Sequence, residues 1–142
     1  MRYVTVDDGE IETKIFHRVF ESEGADWQHF DDFDRAHSAI AEGDLDSVEL
    51  VLLDIQLDGD DEAGVRLAGA LNKRGTTGRI VVLSGSEVRD IICRCFRAGA
   101  TSYFVKPGDS EELEAIIYGL KTAGPFSRRC VSKVRQKPNG KR

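Results

Sequence analysis

Hydrophobic and polar positions along this chain alternate between two periods. A short apolar run at 3–6 is followed over 10–23 by Ile11, Ile15, Phe16, Val19 and Phe20, spaced as one face of a helix. Residues 27–30 predict a second, weaker strand. Residues 32–42 then place Phe33, Ala36, Ala39 and Ile40 on one helical face, with Gly43 as a stop. The strongest strand signal is 48–53, nearly continuous in apolar residues, as a parallel strand covered on both faces requires. A helix over 63–73 turns Val65, Ala68 and Leu71 inward, and a further strand is expected at 80–83. A helix over 87–98 carries Val88, Ile91, Ile92, Cys95 and Phe96 on one face and ends before Gly99, which suits the left-handed position after a helix. Residues 102–105 predict a fifth strand. Asp109 or Ser110 then caps a last helix that has acids at 111, 112 and 114 in its first turns and Leu113, Ile116, Ile117 and Leu120 buried. Five strand–helix units with short connections predict an α/β domain, a doubly wound five-stranded parallel sheet with helices on both faces.

In such a sheet the carboxyl ends of the strands share one edge, where sites are built. The polar residues that end these runs are Asp7 and Asp8, Asp54, Ser84, and Lys106 followed by Pro107. Three carboxylates brought together repel and raise one another's pKa, and a divalent cation relieves this. Oxygen ligands with several waters suit Mg2+, with Mn2+ as a substitute. A lysine at a strand end and a serine hydroxyl beside Gly85 are suited to the oxygens of a phosphoryl group. One carboxylate can then act as nucleophile and become an acyl phosphate, and Asp54, on the central strand, is the best placed. The acidic run Asp58-Gly59-Asp60-Asp61-Glu62 lacks the twelve-residue ligand spacing of a calcium loop. No Gly-rich phosphate loop follows the first strand, and no nucleophile elbow or placed histidine base is present. A Mg2+-dependent aspartyl phosphatase would want a second acid near the nucleophile, and Asp54-Ile55-Gln56 offers none two residues on.

Composition refines this picture at four points. The length of 142 residues suits one domain, and no stretch reaches the roughly 20 apolar residues of a membrane span. The first eight residues hold no long apolar region of a secretory signal, so a cytoplasmic protein without membrane contact is expected. Charge is split: residues 1–120 carry all 25 acids and 12 bases, whereas 121–142 carry eight bases and no acid. We read 1–121 as the domain and 122–142 as a flexible basic tail or truncated linker. Of the three cysteines, Cys95 falls on an apolar stripe and reads as a small buried hydrophobe, and no disulfide framework or zinc site is expected.

Taken in order, Val6-Asp7-Asp8, Leu52-Leu53-Asp54, Val82-Leu83-Ser84-Gly85 and 99–107, with Tyr103, Lys106 and Pro107, resemble the receiver domain of bacterial two-component response regulators, the CheY-like family. The resemblance covers residues 2 to 121 and implies the flavodoxin-like (βα)5 fold. It implies a phosphorelay switch rather than an enzyme, with Asp54 taking a phosphoryl group from a sensor histidine kinase or phosphotransfer protein. Slow self-phosphorylation from small donors and autodephosphorylation would accompany it. Asp8, Asp54 and the backbone carbonyl of Gln56 would hold Mg2+, with Asp7 acting largely through water. Lys106 would contact the phosphoryl oxygens, Ser84 would move toward them, and Tyr103 would turn inward as a switch aromatic. The surface of the fourth helix, fifth strand and fifth helix would repack and could join two copies of the chain. A cis Lys106–Pro107 bond is also implied. Residues 119–134 loosely resemble the linker of regulators with a helix-turn-helix output domain, so DNA would be reached only through a domain absent from this chain. A phosphatase-like hydrolase and a non-phosphorylated interaction scaffold are the alternatives. Two departures stand out: the family often has proline and glycine four and eight residues after the phosphorylated aspartate, where this chain has Asp58 and Glu62. Gln56 and Ser86 occupy positions that influence how fast the phosphoryl group hydrolyses.

Overall fold

The structure, a computed structural model, describes residues 2–123 apart from 23 and 77. Five strands alternate with five helices: β1 (Arg2–Val6), α1 (Glu10–Phe16), β2 (Asp26–Phe30), α2 (Phe33–Ala41), β3 (Leu50–Leu53), α3 (Ala63–Arg74), β4 (Arg79–Ser84), α4 (Arg89–Ala98), β5 (Ser102–Val105) and α5 (Ser110–Thr122). All neighbouring strands pair in parallel, in the order β2-β1-β3-β4-β5. This is the (βα)5 sheet the hydrophobic pattern predicts. From residue 124 onward, the basic segment read over 122–142 lies outside the described residues.

The central strand shows why its sequence is a continuous apolar run. Leu50 and Leu52 pack on one face with Phe16, Phe20, Leu113 and Ile117, from α1 and its continuation and from α5. Val51 and Leu53 pack on the other with Ala36, Ile40, Leu67, Leu71 and Cys95, from α2, α3 and α4. Alternate residues therefore serve two cores, and neither side tolerates a polar residue.

Several boundaries and faces differ from the pattern reading. α1 gives way after Phe16 to a π-helical turn over His17–Glu21, so the segment is not one regular helix. Ile11 lies in the first turn of α1 and is 61% exposed, although it shares the spacing of the buried Ile15. On α3 the buried set includes Ala63, Gly64 and Leu67, and Val65 is only partly covered. Val88 precedes α4 as its exposed N-cap instead of joining its buried face. Asp109 caps α5 by accepting from the Glu111 N–H, and Gly99 follows α4 at φ 125°, both as expected. Cys95 is buried, and that burial pushes its thiol up to about 11, which fits a packing residue. Among the described residues no peptide bond is cis, so Lys106–Pro107 is trans, contrary to the expectation from resemblance. Among the described residues no helix is long and apolar enough to cross a membrane.

Candidate functional site

Strand register assembles the site. Val6 pairs with Leu53 across β1 and β3, so the next residues, Asp7 and Asp54, emerge side by side at the carboxyl edge. The Asp54 N–H donates to the Val6 carbonyl at 2.9 Å, which extends the ladder to the site itself. On the other side Ser84 pairs with Val105 across β4 and β5, and the Lys106 N–H donates to the Ser84 carbonyl at 2.7 Å. Lys106 is thereby aimed back across β4 toward the acids. β1 and β3 are neighbours separated in sequence by β2, and this is where the strand order reverses, the usual place for a site in an open α/β sheet.

Asp7, Asp8 and Asp54 each offer a carboxylate oxygen, and these oxygens lie within 4.8 Å of one another. Asp7 is buried, Asp54 half-buried and Asp8 exposed. The Lys106 Nζ stands 2.9 Å from Asp7 Oδ2, 3.1 Å from Glu12 Oε2 and 3.5 Å from Asp54 Oδ2. The Gly9 N–H donates to Asp7 Oδ1 at 2.8 Å, and the Gln56 backbone N–H donates to the Asp54 carboxylate.

The electrostatics follow from one base among several acids. Burial and then the Asp7 charge push Asp54 up to about 6, although Lys106 and the Gln56 N–H pull the other way. Burial likewise raises Asp7, against the pull of Lys106. For Lys106 burial disfavours the charge, but the Asp7 and Asp54 carboxylates outweigh it and hold the ammonium above its usual range. The cluster thus carries more negative charge than its one lysine offsets. Three oxygen donors within reach of one another, short of positive charge, fit a divalent cation of the oxygen-preferring kind.

Ser84 and Tyr103 are not in contact with the acids in the same way. Ser84 is buried at the end of β4, with its hydroxyl accepting from the Ser86 N–H at 3.1 Å. Tyr103 already lies inward: its ring is buried in the α2–α4 core and its hydroxyl donates to the Ser86 carbonyl at 2.7 Å. The Gln56 side chain is exposed and donates to Asp61 at 2.6 Å.

The acidic loop after Asp54 has its own construction. Leu57 and Asp60 exchange backbone hydrogen bonds around Asp58 and Gly59, which adopt φ 54° and 78°. Asp-Gly is the sequence signature of a turn with two left-handed residues, and proline could not occupy position 58 at that φ. The Asp58 N–H donates to Asp8 Oδ2 at 3.2 Å, and the Asp58 carboxylate accepts from the Phe33 N–H at 3.2 Å, tying the site to the start of α2. Asp60 pairs with Arg66, and Glu62 with Arg94 of α4. These acids are committed to arginines and backbone rather than to a calcium-type cage.

Glu12 is the site residue that the sequence reading missed. Acids in the first turn of a helix are common complements to its dipole, so a glutamate at this position carried no distinguishing signal.

Comparison with known proteins agrees with this geometry. Residues 4–118 match the response regulator receiver domain. The nitrate/nitrite response regulator protein NarP of Escherichia coli (strain K12) is 32% identical over 91 residues, spanning 63% of this chain and 41% of NarP. The chain therefore covers less than half the length of that relative. Among solved structures, the phosphorylated cyanobacterial phytochrome response regulator RcpA superposes with a TM-score of 0.72 at 19% identity, covering 84% of this chain and 90% of RcpA. The Mn(2+)-bound form of response regulator Rcp1 gives 0.71 at 15% identity, covering 86% and 93%. At these identities the two structures speak for the fold.

Proposed function

We propose, from the premise that this chain belongs to the family of response regulator receiver domains and is a phosphoacceptor switch rather than a turnover enzyme, that Asp54 is the residue phosphorylated. The observation that carries this is the convergence of Asp54, Asp7 and Lys106 within ion-pair distance at the β1/β3 edge. A carboxylate oxygen of Asp54 forms the new O–P bond as the P–N bond of a donor phosphohistidine breaks, and the electron pair leaves with the imidazole. The donor is a sensor histidine kinase or a phosphotransfer protein.

The chain's own groups have distinct parts in this step. Lys106 neutralises charge on the transferring oxygens. Asp8, Asp54 and the Gln56 carbonyl are the residues that would hold Mg2+, or Mn2+ in its place, with Asp7 acting through water. Bound there, the cation supplies positive charge to the developing phosphoryl oxygens. Manganese is found in Rcp1, and a phosphorylated state in RcpA, which supports the same assignment on a shared fold. Ser84 follows the new charge at Asp54. It is linked to Tyr103 through Ser86, whose N–H and carbonyl bond to the Ser84 and Tyr103 hydroxyls respectively, so movement of Ser84 is felt by the aromatic ring. We take Tyr103 as the switch aromatic in this sense, a ring already inward whose hydroxyl contact is remade, rather than one that swings in from solvent. The surface of α4, β5 and α5 repacks in response and serves a second copy of the chain or another partner. We take residues 1–121 as the receiver and 122–142 as a basic tail or linker, with any contact to DNA made only through an output domain.

Intact-mass measurement after incubation with a small phosphodonor and Mg2+ tests this reading. One phosphoryl group should be gained, should be released at alkaline pH, and should be absent from Asp54→Ala. An unchanged mass, under conditions where another receiver reacts, would overturn the assignment.

A further inference from the structure

We propose that Glu12 is a positioning residue that holds the Lys106 ammonium on the α1 side of the site until phosphoryl oxygens on Asp54 claim it. The inference rests on Asp54 as phosphoacceptor and extends it. Three carboxylates compete for one ammonium, and their distances rank them: Asp7 at 2.9 Å, Glu12 at 3.1 Å and Asp54 at 3.5 Å. Lys106 therefore leans toward β1 and α1, with the phosphoacceptor as its most distant partner. The ammonium has three N–H donors and three carboxylates around it, so phosphoryl oxygens on Asp54 would be a fourth claim that displaces one of the present partners, and Glu12 is the one with no part in the metal or phosphoryl contacts.

The seat of the Glu12 carboxylate is made by a glycine. A Cβ at Gly9 would stand 2.0 Å from Glu12 Oε1 and 2.8 Å from its Cδ. Gly9 has φ -80° and ψ 137°, extended backbone open to any residue, so its small size is used for space rather than for conformation. The glutamate side chain is largely covered, at 21% exposure, and its pairing with Lys106 is shielded from water accordingly. Glu12 is also a surplus charge. Asp7 and Asp54 already supply the lysine with partners, and a phosphoryl group on Asp54 adds further negative charge at the same spot. Glu12 then pulls Lys106 from the phosphoryl oxygens and repels them. It raises the threshold for occupancy of the site and shortens that occupancy once formed.

Beryllofluoride, a non-covalent phosphoryl mimic, isolates this effect from the chemistry. Its affinity is measured by 19F NMR at Mg2+ concentrations that saturate each variant, because removing a charge also weakens the metal. Glu12→Gln should tighten beryllofluoride by roughly two- to fivefold, the range of a single ion pair partly exposed to solvent. Gly9→Ala, which keeps every charge and overlaps the Glu12 carboxylate far more than Asp7 Oδ1, 3.1 Å from the added Cβ, should shift affinity in the same direction. Glu12→Asp, one methylene shorter, should resemble Glu12→Gln more than the parent. Unchanged or weakened affinity in Glu12→Gln and Gly9→Ala overturns the parking of Lys106, including where thermal unfolding shows only lost stability. A parent chain that takes up no beryllofluoride overturns the Asp54 reading instead, and this one with it.

Discussion

At the scale of single residues, the close approach of α3 to the site depends on Gly64. Its N–H donates to the Ile55 carbonyl at 2.8 Å, and a Cβ there would lie 2.4 Å from the Asp54 carbonyl oxygen and 2.7 Å from Ile55 Cα. Both obstacles are backbone, which cannot yield as the tip of a side chain can. Gly64→Ala should therefore destabilise the protein by roughly 1–3 kcal/mol as an overpacked contact, read as a lower urea midpoint with an unchanged slope. This residue also shows what the sequence disclosed. Asp54, Asp7, Asp8 and Lys106 were legible because each ends an apolar run, and strand period alone places such residues on one edge. The family's glycine eight residues after the phosphoacceptor was missing, and Glu62 stood there. The close packing is supplied two positions later, a displacement visible only once α3 starts at Ala63. Glu12 stayed hidden because its partner is 94 residues away and nothing local distinguishes it.

At the scale of elements, a directed chain of hydrogen bonds ties β1 and β2 to the start of α1. The Trp27 indole can only donate, and it donates to the Thr5 hydroxyl at 3.0 Å. Because the Thr13 hydroxyl spends its one proton on the Gly9 carbonyl, neutral His29 presents Nε2–H to the Thr13 oxygen at 3.3 Å, and its Nδ1 accepts from the Thr5 hydroxyl at 2.7 Å. Thr13 in turn donates to the Gly9 carbonyl at 2.7 Å. The last bond in the series fixes the loop that carries Asp7 and Asp8. The alternation of strand β2 was weak as a sequence signal because Trp27 and His29 face this network rather than a wholly apolar core. Thr5→Val matches the shape of a fully buried side chain but leaves the indole N–H and His29 Nδ1 without their partner. A loss of roughly 1–3 kcal/mol is expected in urea unfolding, with faster amide exchange at Gly9 and Thr13 than at the centre of β3.

At the scale of the whole molecule, the site sets stability against function, and pH exposes the conflict. Asp54 is held up to about 6, above its ordinary value of 3.8, chiefly by burial and then by Asp7. A carboxyl whose folded pKa is raised binds protons more tightly in the native state. Its ionisation therefore costs stability progressively as pH rises from about 4 through 6, on the order of 3 kcal/mol by neutral pH. His29 works in the opposite sense. Its folded pKa is lowered, chiefly by burial, so the unfolded chain takes up the proton first and stability falls as pH drops below about 6.5. The two effects overlap and would obscure each other in a single titration of the apo protein. The difference between unfolding with and without Mg2+ removes the His29 contribution, since that residue titrates in both. Bound cation relieves the repulsion only where the acids are ionised, so Mg2+ should raise the urea midpoint clearly at pH 7.5 and little at pH 5. Asp54→Asn should unfold at higher urea than the parent at pH 7.5 without metal, because a neutral amide escapes the cost of ionisation, and its response to Mg2+ should shrink. An equal Mg2+ response at both pH values would place the cation elsewhere than at Asp7, Asp8 and Asp54.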